Sequence, residues 1–551
     1  MYKTVSLKLK TLISTIDWRL LIFLLLFLNV KLVIKLAAIL LVYFLRPDFK
    51  FGFSLKNSRI PLFYISTIAI VVFNWVFSGM TGNFNYFLVV ITGLCFWLTS
   101  ILAIHQVKLS VDKNEPAIIH RTILVFFILN ALVSIAVYLG IILETGRINP
   151  FSYQGDFQRY FVGTGDYIKG ITLDTSITNA VINSFGVIFY LVRRKYLMVL
   201  LCMAVLLLTG SNVTNLMICL VLVYLFVFKT VKDQKSIIVI CLMMGVVFLT
   251  KVSPQNNKYI KNLYERLFRD IPPEKPIYLN TVPITAKADS ILSPDERKQK
   301  IAQLYLDSLS EVAGGFGKNI IANVQQAGPS VKYFEKPVIP RDSIHTPSFQ
   351  HKKDTSAVEK KLLRFAGAQK SAEPTGIFRE KLLHIPGKIL ALQETYRFFI
   401  HHPIKLFTGL GIGNFSSKLA FRVTAMKIAG GYPGKYSYIN NDFKINHLNL
   451  FIFYFTRWDD LHSIANSPNS VYDQLWSEYG IAGLIAFFVL YLGFFAWRLN
   501  KSSYGFPVLL MMTGIFFVDY WFEQLSVVIL FELILFLDIK ETSLNKTADG
   551  I

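Results

Sequence analysis

The segment Gly409–Phe415 has the residue types and spacing most suggestive of chemistry, because glycines occupy its first, third and fifth positions. Glycine at this density allows a tight turn and a close approach of the backbone to a ligand such as a phosphate. The turn follows a predicted helix, Leu390–Ile400, which ends at His401-His402-Pro403 because the residue before a proline is disfavoured in a helix. No strand precedes the turn, so the pattern is not a dinucleotide-binding fingerprint and is by itself a weak phosphate signal.

Ionisable residues within apolar runs are a second chemical signal. Lys35 and Glu532 each interrupt a long apolar stretch, where a charged group is costly and usually faces the protein interior. Two interpretations stay open: these residues pair with each other, or Lys35 faces an anionic ligand. Glu478 lies near the start of another apolar stretch, where the helix dipole favours a carboxylate.

Composition indicates that membrane helices position these residues. Of 551 residues, 53% are hydrophobic and only 17% are charged, and the mean hydropathy is +0.47, whereas soluble domains usually hold about a quarter charged residues. A soluble protein with several buried helices would not supply so many apolar runs that lack a polar face. We predict an all-α polytopic membrane protein with spans at Pro61–Gly79, Tyr86–His105, Arg121–Leu143, Ile177–Val192, Tyr196–Leu208, Val213–Phe228, Ile237–Val252, Ile481–Arg498, Phe506–Phe522 and Ser526–Ile539.

The segment Trp18–Arg46 is either one long helix or a hairpin that turns near Asn29–Lys31. Lys and Arg in the short connections favour one side of the membrane, which the positive-inside rule makes cytoplasmic. The basic N-terminus lies on that side only if Trp18–Arg46 crosses twice. We therefore predict about 12 transmembrane helices, both termini in the cytoplasm, and a large extracytoplasmic loop domain between spans nine and ten.

This topology divides the chain into an N-terminal transmembrane bundle (1–252), an extracytoplasmic domain (253–470) and C-terminal helices with a cytoplasmic tail (471–551). From Lys251 to Ser470 the chain carries 31 Lys and Arg residues but only 18 Asp and Glu residues. This excess suggests an anionic partner, either lipid headgroups or a pyrophosphate-bearing substrate. A basic surface that is merely solvated is the alternative.

Four stretches of the chain resemble the sequence pattern of the O-antigen ligase and O-antigen polymerase superfamily, whose members are polytopic membrane glycosyltransferases. Their order along the chain and the predicted topology resemble the family as well. The stretches are Lys169-Gly170 with Asn179-Ala180, Leu208-Thr209-Gly210-Ser211-Asn212, Gly387-Lys388 with His402-Pro403 and Gly409–Phe415, and Pro468–Gly480.

The resemblance implies transfer of a glycan from a polyprenyl diphosphate carrier to an acceptor at the outer face of the bacterial inner membrane. The acceptor would be a lipid A core, a glycan or a protein, and the sequence does not separate a ligase from a polymerase. We expect no metal and no cofactor, because the chain lacks an Asp-x-Asp motif and fixed cations can stabilise the charge on the departing diphosphate. The segment Pro254–Thr375 resembles an insertion, and we hypothesise that it recognises the acceptor.

Three positions depart from the family pattern. Asn469 stands where the family has a histidine implicated in catalysis, Asn212 where it has an arginine after Gly-Ser, and Lys388 where it has another arginine. Asparagine neither takes up nor releases a proton near neutral pH, and lysine lacks the bidentate fork of arginine. Either neighbouring residues have taken over these roles, or the substrate differs, or the protein is inactive.

The candidate catalytic residues are His462, Asn469 and Glu478. His462 is the best available base in the sequence, unless it forms a solvated turn together with Asp459 and Asp460. The candidate substrate-binding residues are cations for the diphosphate, polar groups that orient the substrate, and turn glycines: Lys388, Arg397, Lys169, Arg159, Asn212, Tyr472, Gln474, Gly409 and Gly411.

Two hypotheses from other functional classes remain. A transporter or glycan flippase fits about 12 spans equally well, although the sequence shows neither paired repeats nor a pair of Gly/Pro-broken spans. A catalytically inactive scaffold is suggested by Asn212 and Asn469. Membrane lipids and the glycan donor are the expected partners, nucleic acid is not expected, and the oligomeric state is not predicted.

Overall fold

The computed structural model describes residues 15–152, 164–253, 387–424, 431–448, 467–500 and 503–548, together with residues 300 and 450. All regular structure within these ranges is helical. Most of the segment Pro254–Thr375 and the candidate residues Arg159 and His462 lie outside them. The all-α prediction is therefore confirmed for the described part of the chain.

The helices are, in chain order, α1 (Trp18–Phe27), α2 (Leu32–Leu45), α3 (Phe63–Phe77), α4 (Phe84–Lys113), α5 (Pro116–Thr145), α6 (Ser176–Val192), α7 (Tyr196–Leu208), α8 (Asn212–Phe228), α9 (Lys232–Val247), α10 (Gly387–His401), α11 (Lys405–Thr408), α12 (Lys418–Arg422), α13 (Asn441–Asn446), α14 (Val471–Ile485), α15 (Gly505–Ile515), α16 (Trp521–Gln524) and α17 (Val528–Ala548). A π-helical turn extends α9 to Val252, and another extends α14 toward Ala496. Among the described residues, four helical stretches are long and apolar enough to cross a membrane: Phe84–Lys113, Pro116–Thr145, Lys232–Val252 and Val471–Ala496. Seven more helices are apolar but shorter, which is consistent with a membrane protein.

The segment Trp18–Arg46 forms a hairpin, as the basic N-terminus favoured. Helices α1 and α2 pack against each other, and the Asp17 carboxylate caps α1 by accepting a hydrogen bond from the Leu20 amide (3.1 Å). At the turn between them, the Asn29 side chain accepts a hydrogen bond from the Lys31 amide (3.0 Å). The hairpin alternative is confirmed.

Several span boundaries differ from the prediction: α4 runs to Lys113 and not His105, and α17 runs to Ala548 and not Ile539. Two further differences concern α14 and α15. Helix α14 begins at Val471, ten residues before the predicted start at Ile481. Its first turns hold the polar residues Asp473, Ser477 and Glu478, which are buried against protein, so a hydropathy pattern does not detect them as part of a span. Helix α15 ends at Ile515 and not at Phe522. The apolar residues that follow form an irregular link to α17, which a hydropathy pattern does not distinguish from a helix.

Helix α17 lies at the centre of the bundle, packed against α4, α5 and α15. Its first half is almost entirely buried. Glu532 accepts hydrogen bonds from the hydroxyls of Tyr64 and Tyr491. Lys35 donates instead to the Phe27 carbonyl (2.8 Å) and to the Ser526 hydroxyl (3.2 Å). The two intramembrane candidates therefore have separate partners and do not pair with each other.

One end of the bundle, here called the loop end, carries the turn between α1 and α2, the loop 164–175 and the helices from α10 to α13. The Val30 amide donates to the Thr172 carbonyl (2.9 Å), and the Asn74 side chain donates to the Thr408 carbonyl. These bonds attach the loops to the hairpin and to α3. The polar residues described next converge at this end.

Candidate functional site

Two stretches of backbone cross at Gly409 and Gly480. Both residues have torsion angles that only glycine adopts readily, with φ 79° and ψ −171° at Gly409 and φ 68° and ψ −165° at Gly480. A Cβ atom at Gly409 would lie 2.4 Å from the Glu478 carbonyl oxygen, and one at Gly480 would lie 2.5 Å from the Phe407 carbonyl oxygen. The backbone of the predicted glycine turn therefore packs directly against the backbone of α14, at the break in that helix.

Hydrogen bonds fasten the turn onto this break. The Leu410 amide donates to the Ser477 carbonyl and the Gly411 amide to the Glu478 carbonyl, both at 2.9 Å. The Glu478 carboxylate accepts from the Gly413 amide (2.9 Å) and from the Phe415 amide (3.1 Å). Successive amides in such a turn form a concave anion-binding nest. Here the group in the nest is the carboxyl of Glu478, a fully buried side chain.

Lys388 and Asn469, predicted separately, lie in contact. The Lys388 ammonium group donates to the Asn469 carbonyl and to the Val518 carbonyl (2.6 Å). It thereby joins α10, the start of α14 and the link between α15 and α17. Burial lowers the pKa of Lys388 to about 7, and the nearby carboxylates of Asp519 and Asp473 oppose this shift. Both Lys388 and Asn469 are almost completely buried.

A buried polar layer surrounds this contact. Thr395 on α10 donates to the Asp473 carboxylate (2.7 Å), and the hydroxyls of Ser416 and Tyr520 lie 3.1 Å apart. The side chain of Gln474, a predicted orienting group, donates to the Glu523 carboxylate. Buried polar groups are costly unless they are hydrogen-bonded, so this layer fixes how α10, α14 and α16 are arranged.

The short helix α12 presents two cations at the edge of the polar layer. Lys418 and Arg422 are half-buried and one helical turn apart, and neither forms a direct ion pair with a described residue. Burial lowers the pKa of both groups, and for Lys418 the neighbouring Arg422 guanidinium lowers it further. Asp174 and Glu523 lie within electrostatic range of both cations and oppose the shift.

Glu523 faces these cations from α16. One carboxylate oxygen accepts from the Gln474 side chain, and the other has no hydrogen-bond partner among the described residues. Burial raises the pKa of Glu523 to about 7, against the opposing effect of Arg422 and Lys418. A carboxylate with this pKa, and with a buried oxygen that the described residues leave without a hydrogen-bond partner, could accept a proton near neutral pH from a group brought against it.

The hairpin and the loop 164–175 complete the cluster. Lys35, on α2, lies within electrostatic range of Asp174 and Lys418. Asp174 accepts a hydrogen bond from the Thr178 hydroxyl (3.2 Å), which fixes it at the start of α6. The cluster thus draws charged residues from α2, α12, α16 and the loop. We call Lys35, Asp174, Lys418, Arg422 and Glu523 the charged cluster.

The remaining predicted residues lie around this cluster or apart from it. Arg397 is exposed on α10, and Lys169 is half-buried in the loop 164–175. The Tyr472 hydroxyl donates to the Thr513 carbonyl (2.7 Å) between α14 and α15. Asn212 is the first residue of α8, and its side-chain oxygen has no hydrogen-bond partner among the described residues.

A buried His–Glu pair was not predicted from the sequence. His447 is fully buried, and its Nδ1 atom lies 3.8 Å from a carboxylate oxygen of Glu394 on α10. Burial lowers the pKa of His447 to about 3 and raises that of Glu394 well above its usual value. Burial therefore favours the neutral form of both groups. His447 is enclosed by the rings of Phe415, Phe421 and Phe443.

Sequence reasoning also missed the charged cluster except for Lys35. Lys418 and Arg422 have the i, i+4 spacing of one helix face, and Glu523 interrupts an apolar run; these were the available signals. Among the described residues no group of three or more His, Cys, Asp or Glu side chains could hold a metal ion. Comparison with protein-family models, with curated proteins and with solved structures gives no match to this chain.

Proposed function

We propose that this protein is a membrane glycosyltransferase that resembles O-antigen ligases and polymerases. It would transfer a glycan from a polyprenyl diphosphate carrier to an acceptor at the outer face of the bacterial inner membrane. In this proposal the bundle has about 12 spans with both termini in the cytoplasm, and the loop end faces outward. The acceptor is a lipid A core, a glycan or a protein.

The charged cluster is the observation that carries this proposal. Lys418 and Arg422 are held together, partly desolvated, and lack direct carboxylate partners among the described residues. Two cations in this state are costly unless an anion joins them, and a diphosphate supplies two adjacent anionic groups. Arginine can bind phosphate oxygens in a bidentate manner, while lysine acts as a point charge.

The positions of the family-like stretches support the same proposal. The Gly409–Phe415 turn contacts the Ser477–Gly480 break, Lys388 contacts Asn469, and the loop 164–175 contacts the hairpin. Gly165 packs against the Thr209–Gly210 end of α7. Stretches far apart in sequence thus lie at one end of the bundle, as one site built from several loops requires.

The geometry suggests how such a reaction would proceed. An acceptor hydroxyl attacks the anomeric carbon, the bond from that carbon to the diphosphate oxygen breaks, and the sugar inverts. The electron pair leaves with the diphosphate, where Lys418 and Arg422 stabilise the added negative charge. Glu523 takes the acceptor proton, a role that Asn469 cannot fill. His462 remains a predicted base outside the described residues.

Charge removal at Arg422 tests the proposal. In a strain that lacks the protein, wild type, Arg422→Gln and the control Lys435→Gln are compared. Lys435 is an exposed cation that is not among the charges acting on Lys418 or Arg422. We expect Arg422→Gln to lose glycan transfer at normal protein levels and to accumulate the lipid diphosphate precursor on the outer leaflet, while Lys435→Gln behaves as wild type.

Other outcomes would contradict the proposal. Precursor retained on the cytoplasmic leaflet would indicate a flippase. Unchanged pools of surface glycan and precursor in a strain that lacks the protein would favour a scaffold.

A further inference from the structure

Helices α10 and α11 present a continuous apolar stripe that no described part of the chain covers. Tyr396 and Ile400 are each 57% exposed, Ile404 is 89% exposed and Phe407 is 66% exposed. Ile389 extends the stripe by two turns toward the start of α10. The spacing of 389, 396 and 400 places these side chains on one face of a helix.

The opposite face of α10 is buried and carries both apolar side chains, such as Phe398, and polar ones. Lys388, Glu394 and Thr395 point toward Asn469, His447 and Asp473 respectively. These contacts place the candidate site on the inner side of this helix. The exposed residues Arg397 and His401 flank the stripe along one edge. An apolar face with a basic edge is typical of helices that lie in a membrane interface.

The stripe is continuous with exposed apolar surface on two helices of the bundle. At Thr408, directly after Phe407, the carbonyl accepts a hydrogen bond from Asn74 of α3, and the neighbouring Phe73 and Phe77 are 49% and 72% exposed. On the other side, Phe407 lies against Gly480 of α14.

Beyond Gly480, α14 and its π-helical extension carry Ile485 and Phe488, which are 57% and 49% exposed. In a bundle that spans a bilayer, exposed apolar side chains at these positions face lipid. The stripe therefore joins two lipid-facing surfaces, and the bilayer is the occupant that covers all three without a separate protein partner.

We infer that α10 and α11 lie in the headgroup region of the outer leaflet, with the stripe inserted among the acyl chains. The inference rests on the bundle spanning the membrane and does not depend on glycosyl transfer. It places the Lys388–Asn469 contact, on the inner side of the same helix, at the depth of lipid headgroups. A lipid-linked diphosphate would reach the charged cluster at that depth without leaving the membrane surface.

Site-directed fluorescence in lipid nanodiscs tests the inference. The four native cysteines, of which Cys95 is exposed and Cys219 half-buried, are replaced by alanine. Bimane is then attached to single cysteines introduced as Ile400→Cys, Ile404→Cys and Phe407→Cys. Ile485→Cys serves as the lipid-facing reference, and Lys435→Cys, an exposed position on a polar turn, serves as the aqueous reference. Monodisperse elution and wild-type thermal stability establish that each labelled protein is folded.

We expect labels at 400, 404 and 407 to be quenched several-fold more by lipids brominated in the acyl chain than by aqueous iodide, as at 485. Iodide quenching equal to that at 435 would overturn the inference, because the stripe would then face water. Protection from both quenchers would also overturn it and would indicate that another part of the chain or a second copy covers the stripe.

Discussion

The crossing of Gly409 and Gly480 predicts a severe effect of one methyl group. In Gly480→Ala, the new Cβ would lie 2.5 Å from the Phe407 carbonyl oxygen and 2.6 Å from the Gly409 amide nitrogen. Both neighbours are backbone atoms, so no side chain can rotate to relieve the contact. The turn must separate from α14, or the break in α14 must close.

The magnitude follows from the bonds that separation would break. The torsion angles of Gly480 belong to a region that only glycine adopts readily, which costs alanine about 1–3 kcal/mol. Separation also breaks the bonds from the amides of Leu410, Gly411, Gly413 and Phe415 to residues 477 and 478. At about 1 kcal/mol net for each of the four bonds, added to this strain, the free energy of unfolding should fall by roughly 5–7 kcal/mol.

The chain offers a matched control in Gly79→Ala. Gly79 has nearly the same φ, 69°, but a Cβ there would meet nothing within 4 Å. This variant suffers the torsional strain alone, about 1 kcal/mol after the gain from a less flexible unfolded chain. The free energy of unfolding is measured by SDS titration in mixed micelles, and limited proteolysis reports on the turn. Equal losses in the two variants would refute the reasoning, because the crossing would then contribute nothing.

Two further predictions concern buried polar groups. The pKa of Lys388 is about 7 in the folded protein and 10.5 for a free lysine. Between these values the unfolded chain binds more protons, so stability should rise with pH across that window. Lys388→Met should abolish this rise in the thermal unfolding midpoint and Lys435→Met should keep it; a retained rise in Lys388→Met would contradict the assignment. Glu532→Leu should lower the free energy of unfolding by about 2–5 kcal/mol because it leaves the Tyr64 and Tyr491 hydroxyls without an acceptor. Glu532→Gln keeps an acceptor oxygen and should lower it much less. Equal losses in the two variants would show that these hydrogen bonds do not stabilise the site.

Hydropathy and charge predicted most of the fold because a helix in lipid must be apolar along its whole length. The bounds of α7 were predicted to the residue, and those of α6 and α8 within one residue. Hydropathy failed at α14 and at the link before α17. There, protein and not lipid surrounds the chain, so the polar residues of α14 are compatible with a helix and the apolar residues of the link are compatible with a turn.

The candidate site was harder to predict because its residues act through contacts between distant segments. The glycine turn was recognised from its spacing, but nothing local indicates that its amides bind Glu478. Lys388 was predicted as a phosphate contact, whereas its ammonium group holds two backbone carbonyls. Lys418 and Arg422 gain significance only because the fold brings them near Asp174 and Glu523.

The position of Glu478 determines which groups at the loop end can attract an anion. Because its carboxyl oxygens accept hydrogen bonds from the Gly413 and Phe415 amides, these two amides of the glycine turn do not bind an incoming anion. The cations of α12 are then the groups that would attract the anion. This helix has five residues, and the Ser417 hydroxyl caps its start by accepting a hydrogen bond from the Ala420 amide (3.0 Å). For the diphosphate of the proposed function, the strength of binding would therefore depend on the placement of one short helix, with the glycine turn as its rigid support.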